Sequence, residues 1–147
     1  MGSRPEIRIV KRYCQLPQIE CYPGQLNQVF MNILTNAIDA IKSDPKHQKV
    51  STTPTTMIET ETIENWVLIT LTDNGIGIPK SVQSKLFEPF FTTKPVGKGT
   101  GLGMSISYQV VTRHQGKLYC DSVLGKGTAF IIELPIQQPR TVDNLAP

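Results

Sequence analysis

The stretch Trp66-Val67-Leu68-Ile69-Thr70-Leu71-Thr72-Asp73-Asn74-Gly75-Ile76-Gly77-Ile78 decides how the chain is read. Its first six residues are apolar on alternate and intervening positions alike. This predicts a strand in the middle of a sheet, covered on both faces or nearly so. Asp73 then stands at the strand end, and Gly75 and Gly77 follow at a spacing that lets backbone come close to a flat ligand. A carboxylate so placed can accept from the exocyclic amine of adenine. A simple turn ahead of Pro79 would use the same residue types.

Upstream, residues 24–42 form the clearest helix, with Leu26, Val29, Phe30, Ile33, Leu34, Ala37, Ile38 and Ile41 on one face. Gln28, Asn32 and Asn36 recur every four residues as an amide stripe beside it, with Asp39 near the same line. Asparagine is a mediocre helix former, so the stripe is either a solvated face or a set of neutral oxygens for a hard cation such as Mg²⁺. Residues 6–13 and 18–22 read as short strands separated by Pro17. Residues 49–60 and 65–72 read as a hairpin with Pro54 on an edge.

Downstream, residues 79–86 suggest a short helix with Pro79 in first position, and residues 87–99 a long loop. The aromatics Phe87, Phe90 and Phe91 would latch that loop to the core. Lys94 and Lys98 would stay free as mobile cations for a triphosphate. Gly97-Lys98-Gly99-Thr100-Gly101-Leu102-Gly103 opens a helix over residues 101–114, with Gly116 just past its end. Free N–H groups at such a terminus favour phosphate, and a flexible hinge is the plainer alternative. Residues 117–122 and 128–134 form a second hairpin around Gly125-Lys126-Gly127. This order of elements predicts an α/β sandwich with one sheet and helices on one face.

Composition limits the function classes. The 147 residues suit one domain. A scattered net charge of +3 does not argue for nucleic acid or membrane as partner. Cys14, Cys21 and Cys120 lack zinc-type spacing and read as reduced thiols of a cytoplasmic protein. No apolar run reaches membrane-spanning length, and Met1-Gly2-Ser3 reads as a cloning remnant rather than a leader. The expected organisation is a flexible start over 1–5, one domain over 6–136 and a flexible tail over 137–147. Six of the eleven glycines fall between Gly75 and Gly103, on both sides of one supposed nucleotide site.

Four segments in this order resemble the catalytic ATP-binding domain of two-component sensor histidine kinases. They are similar to its N box (NILTNAIDA), first glycine box (DNGIGI), F box (LFEPFFTTK) and second glycine box (GKGTGLGMS), and GKGTAFIIELP to its closing hairpin. The resemblance spans residues 19–135 and implies the Bergerat fold: a two-layer α/β sandwich, a mixed sheet on about three helices, with a mobile ATP lid. It implies ATP and Mg²⁺ as cofactors. Asn36 is then the Mg²⁺ ligand, with Asn32 one turn earlier beside the phosphates. Asp73 reads adenine in a pocket shaped by Gly75, Gly77 and Ile78, with Thr128 assisting. Gly99, Thr100, Gly101, Leu102 and Gly103 contact phosphate, and Lys94 or Lys98 meets the γ-phosphate.

Departures from the family pattern carry information. Hydrolysing relatives have a Glu where this chain has Asn32, and an amide cannot act as a general base. Asp39 stands where many histidine kinases have Lys or Arg. His47 and His114 are both followed by Gln, outside the His-Glu or His-Asp pattern of a phosphoacceptor, and are expected at the surface. The expectation is a monomeric catalytic fragment that presents the γ-phosphate of Mg²⁺-ATP to a histidine on a separate dimerisation and phosphotransfer domain, upstream of a response regulator. A hydrolysing ATPase of the same fold, a nucleotide-sensing interaction module and a serine kinase of the anti-sigma type are the alternatives.

Overall fold

The computed structural model describes residues 6–48, 53–91 and 102–138. Its elements are β1 (Arg8–Arg12), α1 (Pro23–Lys42), a 3-10 turn (Pro45–Gln48), β2 (Thr55–Ile63), β3 (Trp66–Asp73), α2 (Lys80–Gln83), α3 (Gly103–Arg113), β4 (Lys117–Val123) and β5 (Gly127–Pro135). The strands form one mixed sheet in the order β1-β2-β3-β5-β4, in which β1 lies parallel to β2 and every other pair is antiparallel. Two hairpins and one added strand account for that order.

The core lies between the sheet and the helices. Val67, Ile69, Leu71, Phe130, Ile132, Leu134 and Leu118 supply the sheet side. Leu26, Val29 and Ile33 of α1 meet them, as do Met104, Val110 and Val111 of α3. The i+3/i+4 stripe read from the sequence is therefore the face α1 buries. Burying side chains of this size stabilises the fold by about 1.5–3 kcal/mol each before chain entropy is counted.

Several expectations are corrected. β3 is the central strand, but among the described residues the helices cover only one of its faces, and the other is partly exposed. Leu68 and Thr70 on the other face line an open groove of about 480 Å³ with Arg12, Tyr13, Cys14, Glu59, Thr60 and Glu61. Residues 18–22 are irregular rather than a strand, with Glu20 N–H bonding the Ile136 carbonyl at 3.1 Å. Pro17 and Pro23 bracket them and cannot donate to a ladder. Pro54 is buried, not at an edge, because β1 pairs onto β2 and Arg8 N–H bonds the Pro54 carbonyl at 2.8 Å.

The α3 terminus departs in detail too. Gln115, not Gly116, adopts the left-handed conformation after the helix, with φ +61°. Gly116 serves packing instead: a Cβ there would strike the Glu133 carbonyl, with Leu134 beside it. Expected α2 shrinks to one turn, with Pro79 as its N-cap. Gln138 Nε2 donates to the His114 carbonyl at 2.8 Å. No helix among the described residues is long and apolar enough to cross a membrane.

Candidate functional site

Asp73 closes β3 on the helix side of the sheet and is 4% exposed. Its Oδ1 accepts the Gly75 N–H at 2.8 Å, which turns the chain immediately after the strand. Thr128, 2% exposed, is its direct partner across the β3–β5 ladder, so both side chains share one face. Gly127, with φ +140°, precedes Thr128, and any Cβ there would collide with the Asp73 carbonyl. Gly77, with φ +80°, leaves no room for a Cβ against the Val123 carbonyl. The glycines after Asp73 thus let the loop press onto its own neighbours, α1 and the β4–β5 hairpin.

Ser122 ties this corner together and was not singled out from the sequence. Its Oγ accepts the Ile78 N–H at 2.8 Å, donates to the Gly127 carbonyl at 2.8 Å and lies 2.7 Å from Thr128 Oγ1. The hairpin register, which pairs Ser122 with Thr128, is the signal that could have found it. Gln83 Nε2 adds bonds to the Ile78 and Ser122 carbonyls at 2.7 and 3.1 Å.

Along α1 the amide stripe divides by role. Gln28 Nε2 donates to Asn32 Oδ1 at 3.0 Å. Both N–H groups of Asn32 are committed, to the Gly103 carbonyl and to Ser107 Oγ, each at 3.0 Å. Asn32 therefore fastens α1 to the start of α3. One turn on, Asn36 is half-buried and makes no side-chain hydrogen bond among the described residues. Another turn on, the Ala40 carbonyl accepts the Ile76 N–H at 3.2 Å, and a Cβ on Gly75 would lie 2.7 Å from Ala40. Asn32, Asn36 and Ala40 follow one another at i+4 spacing, so Asn36 sits between the two glycine segments on a line about 12 Å long.

At the α3 end, Leu102 is the N-cap and no side chain among the described residues caps the helix, whose first N–H groups lie at the Gly103 end. Lys94, Lys98, Gly99, Thr100 and Gly101 lie outside the described residues. The aromatic latch holds in part. Phe87 stacks on Tyr108 with ring centroids 5.2 Å apart and packs on the core. Phe90 does not join it: it is 74% exposed, because a turn places it at φ +65°.

His114 corrects an expectation of exposure. It is 2% exposed, with Nδ1 2.8 Å from the Val110 carbonyl and Nε2 accepting the Tyr22 N–H at 3.0 Å. Nδ1 carries the proton and gives it to the last turn of α3 itself, while Nε2 joins α3 to the N-cap of α1. His47 belongs to the 3-10 turn. The Cys120 thiol, half-buried beside the site, is pushed up to about 11 by burial first, then by Asp121 and Asp73.

Residues 21–138 match the family model described as histidine kinase-, DNA gyrase B-, and HSP90-like ATPase. The chain is 42% identical over 123 residues to sporulation kinase E of Bacillus subtilis, covering 84% of this chain and 15% of that protein. It is 40% identical over 131 residues to sensor kinase CckA of Brucella abortus, covering 82% of this chain and 14% of that one. The chain thus spans about one seventh of the length of these relatives. Among solved structures, the nucleotide-free catalytic domain of histidine kinase ThkA superposes with a TM-score of 0.72 at 28% identity, covering 90% of this chain and 80% of that one.

Proposed function

Since the chain belongs to the family of histidine kinase-, DNA gyrase B-, and HSP90-like ATPases, and within it to the catalytic ATP-binding domains of sensor histidine kinases, we propose that it binds Mg²⁺-ATP and presents the γ-phosphate to a histidine on a separate dimerisation domain. The observation that carries this reading is the line Asn32, Asn36, Ala40, which joins the first glycine loop to the start of α3. Adenine would lie at the Asp73 and Thr128 end, with Ile78 beside it. Phosphates would lie towards Gly103, where helix N–H groups favour anions.

The residues fit a hard cation. Asn36 offers a half-buried neutral oxygen with no protein partner among the described residues, as suits Mg²⁺, which keeps water and phosphate as its other ligands. Bound Mg²⁺ supplies charge compensation on the phosphates. Asn36 would orient that group, Asp73 would accept from the base, and Gly99, Thr100, Gly101, Leu102 and Gly103 are the residues that would meet the phosphates. Lys94 and Lys98 bring positive charge to the γ-phosphate. Catalysis of this kind is positioning and electrostatics, with the nucleophile supplied by the dimerisation and phosphotransfer domain. A response regulator receives the phosphoryl group afterwards, in the cytoplasm.

Asn32 separates this reading from hydrolysis. Its amide takes no proton from water, and its N–H groups are bound to α3. Mixing the full chain with the dimerisation domain of its parent and labelled ATP should move label onto the partner's histidine. ATP binding without transfer would overturn the kinase reading, and steady phosphate release by the chain alone would favour the ATPase.

A further inference from the structure

Three contacts at Ser122 fix where two protons go. A serine hydroxyl has one proton to give and two lone pairs to accept with. The Ile78 N–H takes one lone pair at 2.8 Å, and the Gly127 carbonyl, also at 2.8 Å, takes the proton. The remaining contact, 2.7 Å to Thr128 Oγ1, closes only if Thr128 donates into the second lone pair. The opposite assignment leaves the proton of a 2%-exposed Thr128 without an acceptor among the described residues, which is costly in a buried site.

From this we infer that Ser122 is a specificity-determining positioning residue: by holding the Thr128 proton, it makes Thr128 present lone pairs alone to the base. The inference rests on the reading above, in which Asp73 and Thr128 face the nucleobase. Asp73, as a carboxylate, is likewise acceptor-only. The ladder puts the two on one face, so the corner is an acceptor pair. Such a corner suits the exocyclic amine of adenine and repels the carbonyl that guanine carries at the same place. Ser122 touches no ligand in this arrangement; it acts through Thr128.

Removing Ser122 releases that proton. Thr128 can then turn donor and tolerate the guanine carbonyl, so discrimination should fall even where overall affinity falls little. The test is calorimetric titration of the full chain with ADP and with GDP, in wild type, Ser122→Ala, Ser122→Cys and Ser122→Thr. The wild type should prefer ADP. Alanine, and the isosteric cysteine should alanine fail to fold, should lower the ADP-over-GDP preference about tenfold, the size of one hydrogen bond reversed in sense. Threonine keeps the hydroxyl and should keep the preference. An equal weakening of both nucleotides, with the preference unchanged, would mean Ser122 is merely structural and overturn the inference. A wild type that binds neither nucleotide would overturn the adenine reading, and this inference with it.

Discussion

Asn32 Nδ2 lies 3.0 Å from the Gly103 carbonyl, 71 residues further along the chain. Through that bond the middle of α1 holds the first residue of α3, and the second N–H of the same amide holds Ser107. Asn32→Ala would remove one of the donors to the Gly103 carbonyl, which keeps the Ser107 hydroxyl at 2.8 Å, and would take from the fully buried Ser107 Oγ the N–H it accepts. The expected loss is about 1–3 kcal/mol of stability. A urea midpoint unchanged from wild type would show that α1 and α3 are held by packing alone.

Asp73→Asn tests the base-reading end. Asparagine retains an oxygen for the Gly75 N–H, so the turn after β3 should survive. The lost charge weakens what the site accepts from an amine, and ADP affinity should drop at least about tenfold. Circular dichroism should be unaltered. Equal ADP affinity in both proteins would sink the placement of adenine at Asp73.

The glycines separate into sites of close approach and open ones, which gives a paired prediction. At Gly75 a Cβ would sit 2.7 Å from the Ala40 carbonyl carbon and 2.8 Å from Ile41 N, all backbone, so nothing flexible can yield. Gly75→Ala should cost about 1–3 kcal/mol, as overpacking does. Gly24, in the first turn of α1, has nothing within 4 Å of its Cβ position. There alanine should stabilise by up to about 1 kcal/mol through helix propensity. Thermal unfolding of the two variants should move in opposite directions, and movement in the same direction would refute the distinction.

How far the sequence revealed this site follows from which forces act locally. α1 was legible because its period-3.6 apolar stripe is the face that meets the sheet. The β4–β5 hairpin was legible because Gly125 and Gly127 supply positive φ where a turn requires it. The open face of β3 was hidden: its composition is apolar on both sides, and only topology shows that no helix among the described residues covers the second. His114 was hidden for a similar reason. Its burial depends on Tyr22, 92 residues away, and no local pattern reports that contact. Ser122 needed the strand register, not a motif, to show itself.

The thiols give a prediction in pH. Cys14 is exposed, Cys21 is half-buried, and Cys120 is half-buried and shifted to about 11. Iodoacetamide at mild alkaline pH should therefore label Cys14 first and Cys120 last, since the thiolate is the reacting form. The raised value also bears on stability. Between about pH 9, where the unfolded thiol ionises, and about pH 11 the folded chain binds more protons than the unfolded one, so stability falls as pH rises. Tyr119 is raised too, by its own desolvation first and then by Glu133, and adds in the same direction. Cys120→Ser should flatten the part of the decline due to the thiol. An undiminished slope would assign the whole effect elsewhere.

Asn36 carries the sharpest prediction about metal, because its neighbours on the stripe are already engaged and its own side chain has no hydrogen bond among the described residues. Asn32 has both N–H groups bound within the protein, and Ala40 receives the Ile76 N–H through its carbonyl. An oxygen placed between them costs the fold nothing when removed, yet a cation would lose its protein ligand. Asn36→Ala should thus leave the unfolding midpoint within about 0.5 kcal/mol of wild type, as for a substitution away from structural contacts. The affinity for ATP without Mg²⁺ should also be unchanged, while the gain on adding Mg²⁺ should shrink about tenfold or more. Asn36→Asp, which keeps an oxygen and adds charge, should retain the metal dependence. Loss of affinity to the same degree with and without Mg²⁺ would show that Asn36 contacts the nucleotide itself and not the ion.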